Sequence, residues 1–183
     1  MRYSVRQVSA SAIAIVLAAT GPALLGAGAS QAATSSPAVA KAAPAALVWP
    51  VTRFGSSGER VFAIQYLLQA RGYRIAPVGH FGPVTRADVR GFQRVRGLVA
   101  TGAVGQVTWP RLIIQVRFGN RGPAVAGLQH NLRFGYGYRN LPVTGLFGRI
   151  TRADVRNFQR RHHLAVDGIA GIRTWHAIIV GER

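Results

Sequence analysis

Cysteine is absent from all 183 residues, which removes disulfides, thiolate nucleophiles and cysteine-bound metal together. Carboxylates are scarce: Glu59, Asp88, Asp154, Asp167 and Glu182 are the only five. Glycoside cleavage normally needs two carboxylates about 5 to 9.5 Å apart. Asp88 and Asp154 instead occupy equivalent places in two copies of a repeat, where each reads as a first-turn helix residue favourable to the dipole. The histidines, His80, His130, His162, His163 and His176, form no His-x-x-x-His or His-Glu pairing on a helix face, so no zinc site is expected. Serines cluster near the N-terminus and at Ser56-Ser57, outside any nucleophile-elbow context. No catalytic residue, metal or cofactor is assigned, and the chain reads as non-catalytic.

Long apolar runs are equally few. Ala10 to Leu25 is the one stretch of that kind; it follows the cationic Arg2 and Arg6 and precedes small residues, the pattern of a cleaved signal peptide over residues 1–32. Ala29 or Ala32 is the expected cleavage point. The competing reading, a retained anchor, is weakened by the alanine content, by Gly21-Pro22, and by a run short of about 20 strongly apolar residues. An Ala/Pro/Ser-rich segment, residues 33–52, reads as a disordered, extended linker whose prolines lack backbone donors. About 130 residues remain, enough for two small units and too few for a typical catalytic domain plus a binding domain. Units of about 60 residues without disulfides sit near the limit of a sufficient core, and docking the copies on each other is one way to add buried area.

Charge of one sign dominates what is present. The formal net charge is +18, and loss of Arg2 and Arg6 leaves +16 for the mature chain. This attracts polyanions over a Debye length of about 10 Å at 0.1 M salt, without saying which polyanion.

The chain also states one pattern twice. Phe81 to Trp109 and Phe147 to Trp175 align at a constant offset of 66 with 16 of 29 positions identical, so each copy is one structural unit. Val61, Ile64, Gln65 and Leu68 recur at i, i+3, i+4 and i+7, matched by Val125, Leu128, Gln129 and Leu132, and predict a first helix after a glycine turn. Thr85, Val89 and Phe92, matched by Thr151, Val155 and Phe158, predict a second helix after a Gly-x-Phe-Gly turn, with Pro83 at its first position and its close near Gly97. Trp109, Leu112 and Ile113, matched by Trp175, Ile178 and Ile179, predict a short third helix with Thr108 and Thr174 as caps or first-turn residues. No strand is expected. The units are placed at 53–115 and 116–183.

The ordered set Arg-Phe-Gly-x-x-Gly, Val-x-x-Leu/Ile-Gln-x-x-Leu, Gly-Tyr, Gly-x-Phe-Gly-x-x-Thr-Arg-Ala-x-Val-x-x-Phe-Gln and Gly-x-x-Thr-Trp resembles the peptidoglycan-binding domain family, a three-helix cell-wall-targeting module often attached to hydrolases. The resemblance covers nearly all of Arg53 to Ile179 in both copies. It implies an all-α fold of two tandem three-helix units. It also implies an exported, wall-associated, non-catalytic protein that binds peptidoglycan stem peptide and glycan, with anionic wall polymers and a separate wall hydrolase as further partners. Many relatives carry an acidic residue before the glycine of the turn between helices two and three; Asp167 supplies it, while Thr101 replaces it in the first copy. Val78-Gly79 likewise stands where Asp-Gly is frequent, so equal affinity of the two copies is not implied.

Helix two carries Arg86, Arg90 and Arg94, repeated as Arg152, Arg156 and Arg160, at i, i+4 spacing. Like charges so placed cost an isolated helix about 0.2 to 0.5 kcal/mol per pair. The stripe reads either as an anion-facing surface or as a solvated face of an arginine-biased chain. Gly82 and Gly148 precede helix N-termini suited to a carboxylate, and with Arg86, Arg90, Arg152 and Arg156 they form the candidate ligand site. Tyr73 and Tyr138 join it as rings able to stack on a ligand, although packing over the bundle end is the favoured reading for them. The tryptophans are assigned to the core, and Gln65, Gln129, Gln93 and Gln159 to hydrogen-bonding of loop backbone. The alternatives to wall binding are a nonspecific polycation for nucleic acid or acidic polymers, and a wall hydrolase with an unrecognised site.

Overall fold

The computed structural model describes residues 46–181. The signal peptide, most of the linker, and the two C-terminal residues lie outside the described residues. Six helices run in order: α1 (Glu59–Ala70), α2 (Pro83–Val95), α3 (Thr108–Leu112), α4 (Pro123–His130), α5 (Arg149–Arg161) and α6 (Ile172–Val180). Each copy supplies three. Among the described residues, extended pairing is limited to four isolated bridges, Thr52 with Val104, Ser57 with His80, Val116 with Ala170, and Arg121 with Leu146. The all-α expectation holds, as do the helical faces: Val61, Ile64, Leu68, Val89, Phe92, Trp109, Val125, Leu128, Val155, Phe158 and Trp175 are all buried.

The turns are held by glutamine. Gln65, Gln93, Gln129 and Gln159 are each at most 1% exposed, and each inserts its amide into the loop that follows its helix. Gln65 Oε1 accepts the Gly79 N–H at 2.9 Å while Nε2 donates to the His80 carbonyl and Thr85 Oγ1. Gln129 repeats this, accepting from Thr144 and Gly145 and donating to Leu146 O and Thr151 Oγ1. Gln93 accepts from Gly102 and donates to Ala103 O and Thr108 Oγ1. Gln159 accepts from Gly168 and donates to Ile169 O, Thr174 Oγ1 and Asp167 Oδ1. A buried amide satisfied on both sides is stable only because the loop supplies every partner. Thr108 and Thr174 therefore serve as acceptors for these amides; neither α3 nor α6 has a side-chain cap.

Three features depart from the periodic reading. Asp88 lies in the second turn of α2, not the first, and Asp154 likewise in α5; neither helix has an acidic first turn, so the dipole rationale for these residues falls. In the second copy the first helix stops being α-helical at His130 and continues as a π-helical turn, Asn131–Gly135, which contains Leu132. There Asn131 Nδ2 donates to the Gly127 carbonyl at 2.9 Å, competing with the regular ladder. The third helices also differ: α3 ends at Leu112, leaving Ile113 half-buried beyond it, because the chain must turn extended there to enter the second copy. Ile114 O then accepts from Trp175 Nε1, and Val116 bridges Ala170.

The same extended strap precedes the first copy. Trp109 Nε1 donates to Pro50 O at 2.9 Å, and Thr52 N donates to Val104 O. Trp49 is 5% exposed and stacks on Trp109 with centroids 5.9 Å apart. Gln106 fixes its backbone, accepting from Trp49 N and donating to Leu47 O. Leu47 to Thr52, assigned to the linker on composition, thus pack as part of the first unit.

The copies are docked along α1 and α4. Phe62 and Tyr66 meet the His130 ring at 4.2 and 5.7 Å between centroids, Phe134 lies on its other side, and Glu59 pairs with His130 Nδ1 at 2.9 Å. Gly127 allows this approach, since a Cβ there would fall 2.6 Å from Tyr66 Cβ. Arg60 Nε donates to Ile179 O, and His176 Nε2 lies 2.9 Å from Val48 O with its ring edge-on to Trp49.

Replacing Gln129 with Leu keeps bulk but strands the Thr144 and Gly145 N–H groups; urea unfolding is expected to show a loss of about 2–4 kcal/mol with little change in slope. Trp49→Ala, read the same way, is expected to cost about 3–5 kcal/mol, whereas a residue belonging to a free linker would cost nothing measurable.

Candidate functional site

Each Arg-Phe-Gly turn places an aromatic ring beside the N-terminus of its second helix. Ser56 Oγ and Asn120 Oδ1 accept the Arg53 and Arg117 N–H groups, closing the turns. Backbone pairs then lock them to the helix entry: Gly55 N to Phe81 O and Phe81 N to Ser56 O, with Gly119 N to Phe147 O and Phe147 N to Asn120 O in the second copy. Phe54 and Phe118 are left 53% exposed, an unusual place for two large rings.

The arginines meet these rings. The Arg86 guanidinium lies 5.9 Å from the Phe54 centroid and Arg152 lies 6.0 Å from Phe118, cation–π contacts at the outer edge of useful range. On the other side the stems lean over the glycine of the turn that Gln93 or Gln159 clamps. Gly102 has φ +74 and a Cβ there would sit 3.0 Å from Arg86 Cγ and Arg90 Nε; Gly168, also φ +74, stands 3.1 and 3.2 Å in the same sense from Arg152 and Arg156 Cγ. The positive φ and the close approach together require glycine. The arginine stems are thereby directed by packing. Arg90 Nε is buried under the Gly102 turn without a hydrogen-bond acceptor, a cost that the packing of its stem has to offset.

In the second copy Phe118, Arg149, Arg152, Ala153 and Arg156 enclose a concavity of about 460 Å³. Among the described residues no carboxylate lies within salt-bridge distance of Arg149, Arg152 or Arg156. Arg94 and Arg160, farther along the stripe, are exposed.

The sequence-predicted candidates divide into two groups. Gly82 and Gly148 take the N-cap positions of α2 and α5, and Arg86, Arg90, Arg152 and Arg156 gather beside them. Tyr73 and Tyr138 do not join this cluster. Tyr73 packs against Gly91, and Tyr138 donates to Asn157 Oδ1 at 3.0 Å. At 100° per residue, these positions lie about 140° around the helix from Arg86 and Arg152 and about 100° from Arg90 and Arg156, off the face that those four share. Phe54, Phe118 and Arg149 were missed by sequence reasoning, although the recurrence of Phe in a polar glycine turn was a usable signal.

A second pair of depressions lies over the turns between the second and third helices. In the first copy it is apolar, about 340 Å³, with Val51, Val99 and Val107 on its rim. Its counterpart, about 250 Å³, has Gln115, Ala165 and Arg173 at those places.

Burial raises the pKa of Asp88 and of Asp154 from the ordinary carboxyl value, and Asp88 Oδ2 has no hydrogen-bond partner. The same burial, together with the Asp88 charge, raises the Tyr73 phenol. Among the described residues no group of three His, Asp or Glu side chains is placed to hold a metal ion. No helix there is long and apolar enough to cross a membrane.

Two docked helical triplets each present an exposed ring flanked by arginines, the arrangement of a binding module. The family model described as "Putative peptidoglycan binding domain" matches residues 57–112 and 121–178, and the chain belongs to this family. Among solved structures it is similar to a peptidoglycan-binding protein from Clostridioides difficile in complex with glutamine hydroxamate, at 40% identity and TM-score 0.34, covering 34% of this chain and 40% of that one. The SleB N-terminal domain shows 33% identity and TM-score 0.36 over 38% of this chain and 94% of its own. A Burkholderia AP3 phage endolysin shows 38% identity and TM-score 0.35, covering 38% of this chain and 26% of the endolysin. This chain therefore spans less than half of the first and about a quarter of the last. No curated protein sequence matches it.

A carboxyl whose pKa is raised on folding stabilises the fold most while protonated, and that contribution is lost as pH rises through the folded-state value. Asp88→Asn is therefore expected to raise the melting temperature at pH 7, with the advantage shrinking as the pH falls into the ordinary carboxyl range. A constant difference at every pH would contradict this account.

Proposed function

We propose that this is an exported, non-catalytic protein that binds bacterial peptidoglycan through both copies, with units over residues 53–115, joined by the packed strap at 47–52, and 116–183, and a cleaved signal peptide over residues 1–32. The observation that carries the reading is the repeated constellation: Phe54 with Arg86 and Arg90, and Phe118 with Arg152 and Arg156, on two modules of a peptidoglycan-binding family. An exposed ring suits the apolar face of a sugar, and guanidinium forks suit the carboxylates of stem peptides. Gly82 and Gly148 set the helix entries beside which these groups sit. Anionic wall polymers are further partners for the chain's basic surface.

Docking of the copies changes how two sites act together. Modules on a flexible tether reach an effective concentration set by linker length; here α1 packs on α4 and the geometry between the two faces is fixed. Both engage only a wall surface that matches their spacing. Endolysins and amidases are among the similar structures, so delivery of a separate wall hydrolase is a role consistent with a chain that carries binding modules.

The test is sedimentation with insoluble peptidoglycan stripped of anionic polymers, at low and high salt, with muropeptide release assayed in parallel. Retention at high salt without release is expected. Arg86→Ala together with Arg152→Ala is expected to weaken retention by about tenfold or more at unchanged helicity. Binding abolished by salt alone would instead mark a nonspecific polycation, and release of muropeptides would mark a hydrolase.

A further inference from the structure

The two arginine faces are not equivalent, and the difference lies at one helix position. Arg149 opens α5 where Pro83 opens α2. Arg149 lines the concavity of about 460 Å³ together with Phe118, Arg152 and Arg156, so three arginine side chains border a single space. The nearest carboxylates by position are turned away: Asp167, in the turn beneath the arginine stems, accepts from Gln159 Nε2 at 2.7 Å and from Ile169 N at 2.8 Å. Asp154 lies on the opposite helix flank. Among the described residues no carboxylate lies within salt-bridge distance of these three arginines.

We propose that this second-copy groove binds the phosphate groups of a polyol or sugar phosphodiester polymer, and that the first copy does not. The inference rests on reading the arginine faces as wall-contact surfaces. A stem-peptide carboxylate is a single monoanion and engages one guanidinium fork; three arginine side chains around one space instead suit phosphate, whose oxygens accept in several directions. Successive phosphates along a chain would also meet Arg149, Arg152 and Arg156 in turn, since they occupy one side of α5. Phe118 supplies an apolar wall for the carbon skeleton between phosphates. A nucleic acid shares the phosphodiester chemistry, but grooves for single strands interleave several aromatic platforms, and this groove has one ring.

Calorimetric titration of the full protein with synthetic glycerol-phosphate oligomers tests the assignment, using poly-glutamate of matched charge and a single-stranded oligodeoxynucleotide as comparators. Saturable binding is expected to be tighter for glycerol phosphate than for both. Arg149→Gln is expected to weaken it about tenfold, and Arg86→Gln to change it less than about twofold. Pro83→Arg, which copies the second module into the first, is expected to add a second site per molecule. Equal affinity for poly-glutamate, tighter binding of the oligodeoxynucleotide, or indifference to Arg149→Gln would overturn the proposal. Retention of each variant on phosphate-free peptidoglycan is measured alongside: its persistence with glycerol-phosphate binding absent overturns this inference alone, while its loss in the wild type with glycerol-phosphate binding intact overturns only the peptidoglycan reading.

Discussion

Four buried glutamine amides hold this molecule in shape. The helices are short, and α3 has five residues, so none would persist alone in water. What fixes their mutual arrangement is that each of Gln65, Gln93, Gln129 and Gln159 closes its loop from inside, taking N–H groups on one side and giving N–H groups to carbonyl and threonine oxygens on the other. The polar network does here what disulfides do in many other small domains. Its cost is rigidity of sequence: leaving one partner unmade exposes the full desolvation penalty of the rest.

The candidate site depends on the same clamps. Gln93 and Gln159 set the turns whose glycines, Gly102 and Gly168, lie under the arginine stems. Gln65 and Gln129 set the Gly-x-Phe-Gly turns that start α2 and α5. The Arg-Phe-Gly turns are tied to those same entries through Phe81 and Phe147. The ring and guanidinium groups that face solvent are thus oriented by packing and hydrogen bonds made beneath them, which reduces the ordering cost of binding. Arginine answers this design better than lysine, because a planar fork held by its stem presents a fixed set of donors.

Much of this was legible in the sequence because period and repetition are local signals. The apolar faces of the first two helices, the internal tryptophans and the glutamines' attachment to loop backbone all followed from spacing. Trp49 was not legible, since its surroundings have a linker's composition and only the distant Trp109 and Gln106 reveal its place. The flank occupied by Tyr73 and Tyr138 depended on where their loops cross the helix, and at Gly91 and Asn157 a neighbouring side chain receives them. Asp88 was misplaced although Pro83 was read as the first helical position, because a residue that far beyond Pro83 already lies in the second turn. The docking of α1 on α4 arose from Phe62, Tyr66, Gly127 and His130, a set that reads as ordinary helix surface until the second copy is brought against it.

In the proposed function the N-terminal half of α2 and α5 and the ring that precedes each form the wall-binding surface, with the rest of the molecule serving to hold them. Backbone amide chemical-shift mapping during titration with soluble muropeptides tests that most directly. Perturbations are expected to concentrate at Phe54 and at Gly82 to Arg90, and again at Phe118 and Gly148 to Arg156, with Tyr73 and Tyr138 unmoved. Perturbations centred instead on the tyrosine flank or on the depressions around Val99 and Arg173, with the arginine faces silent, would contradict it.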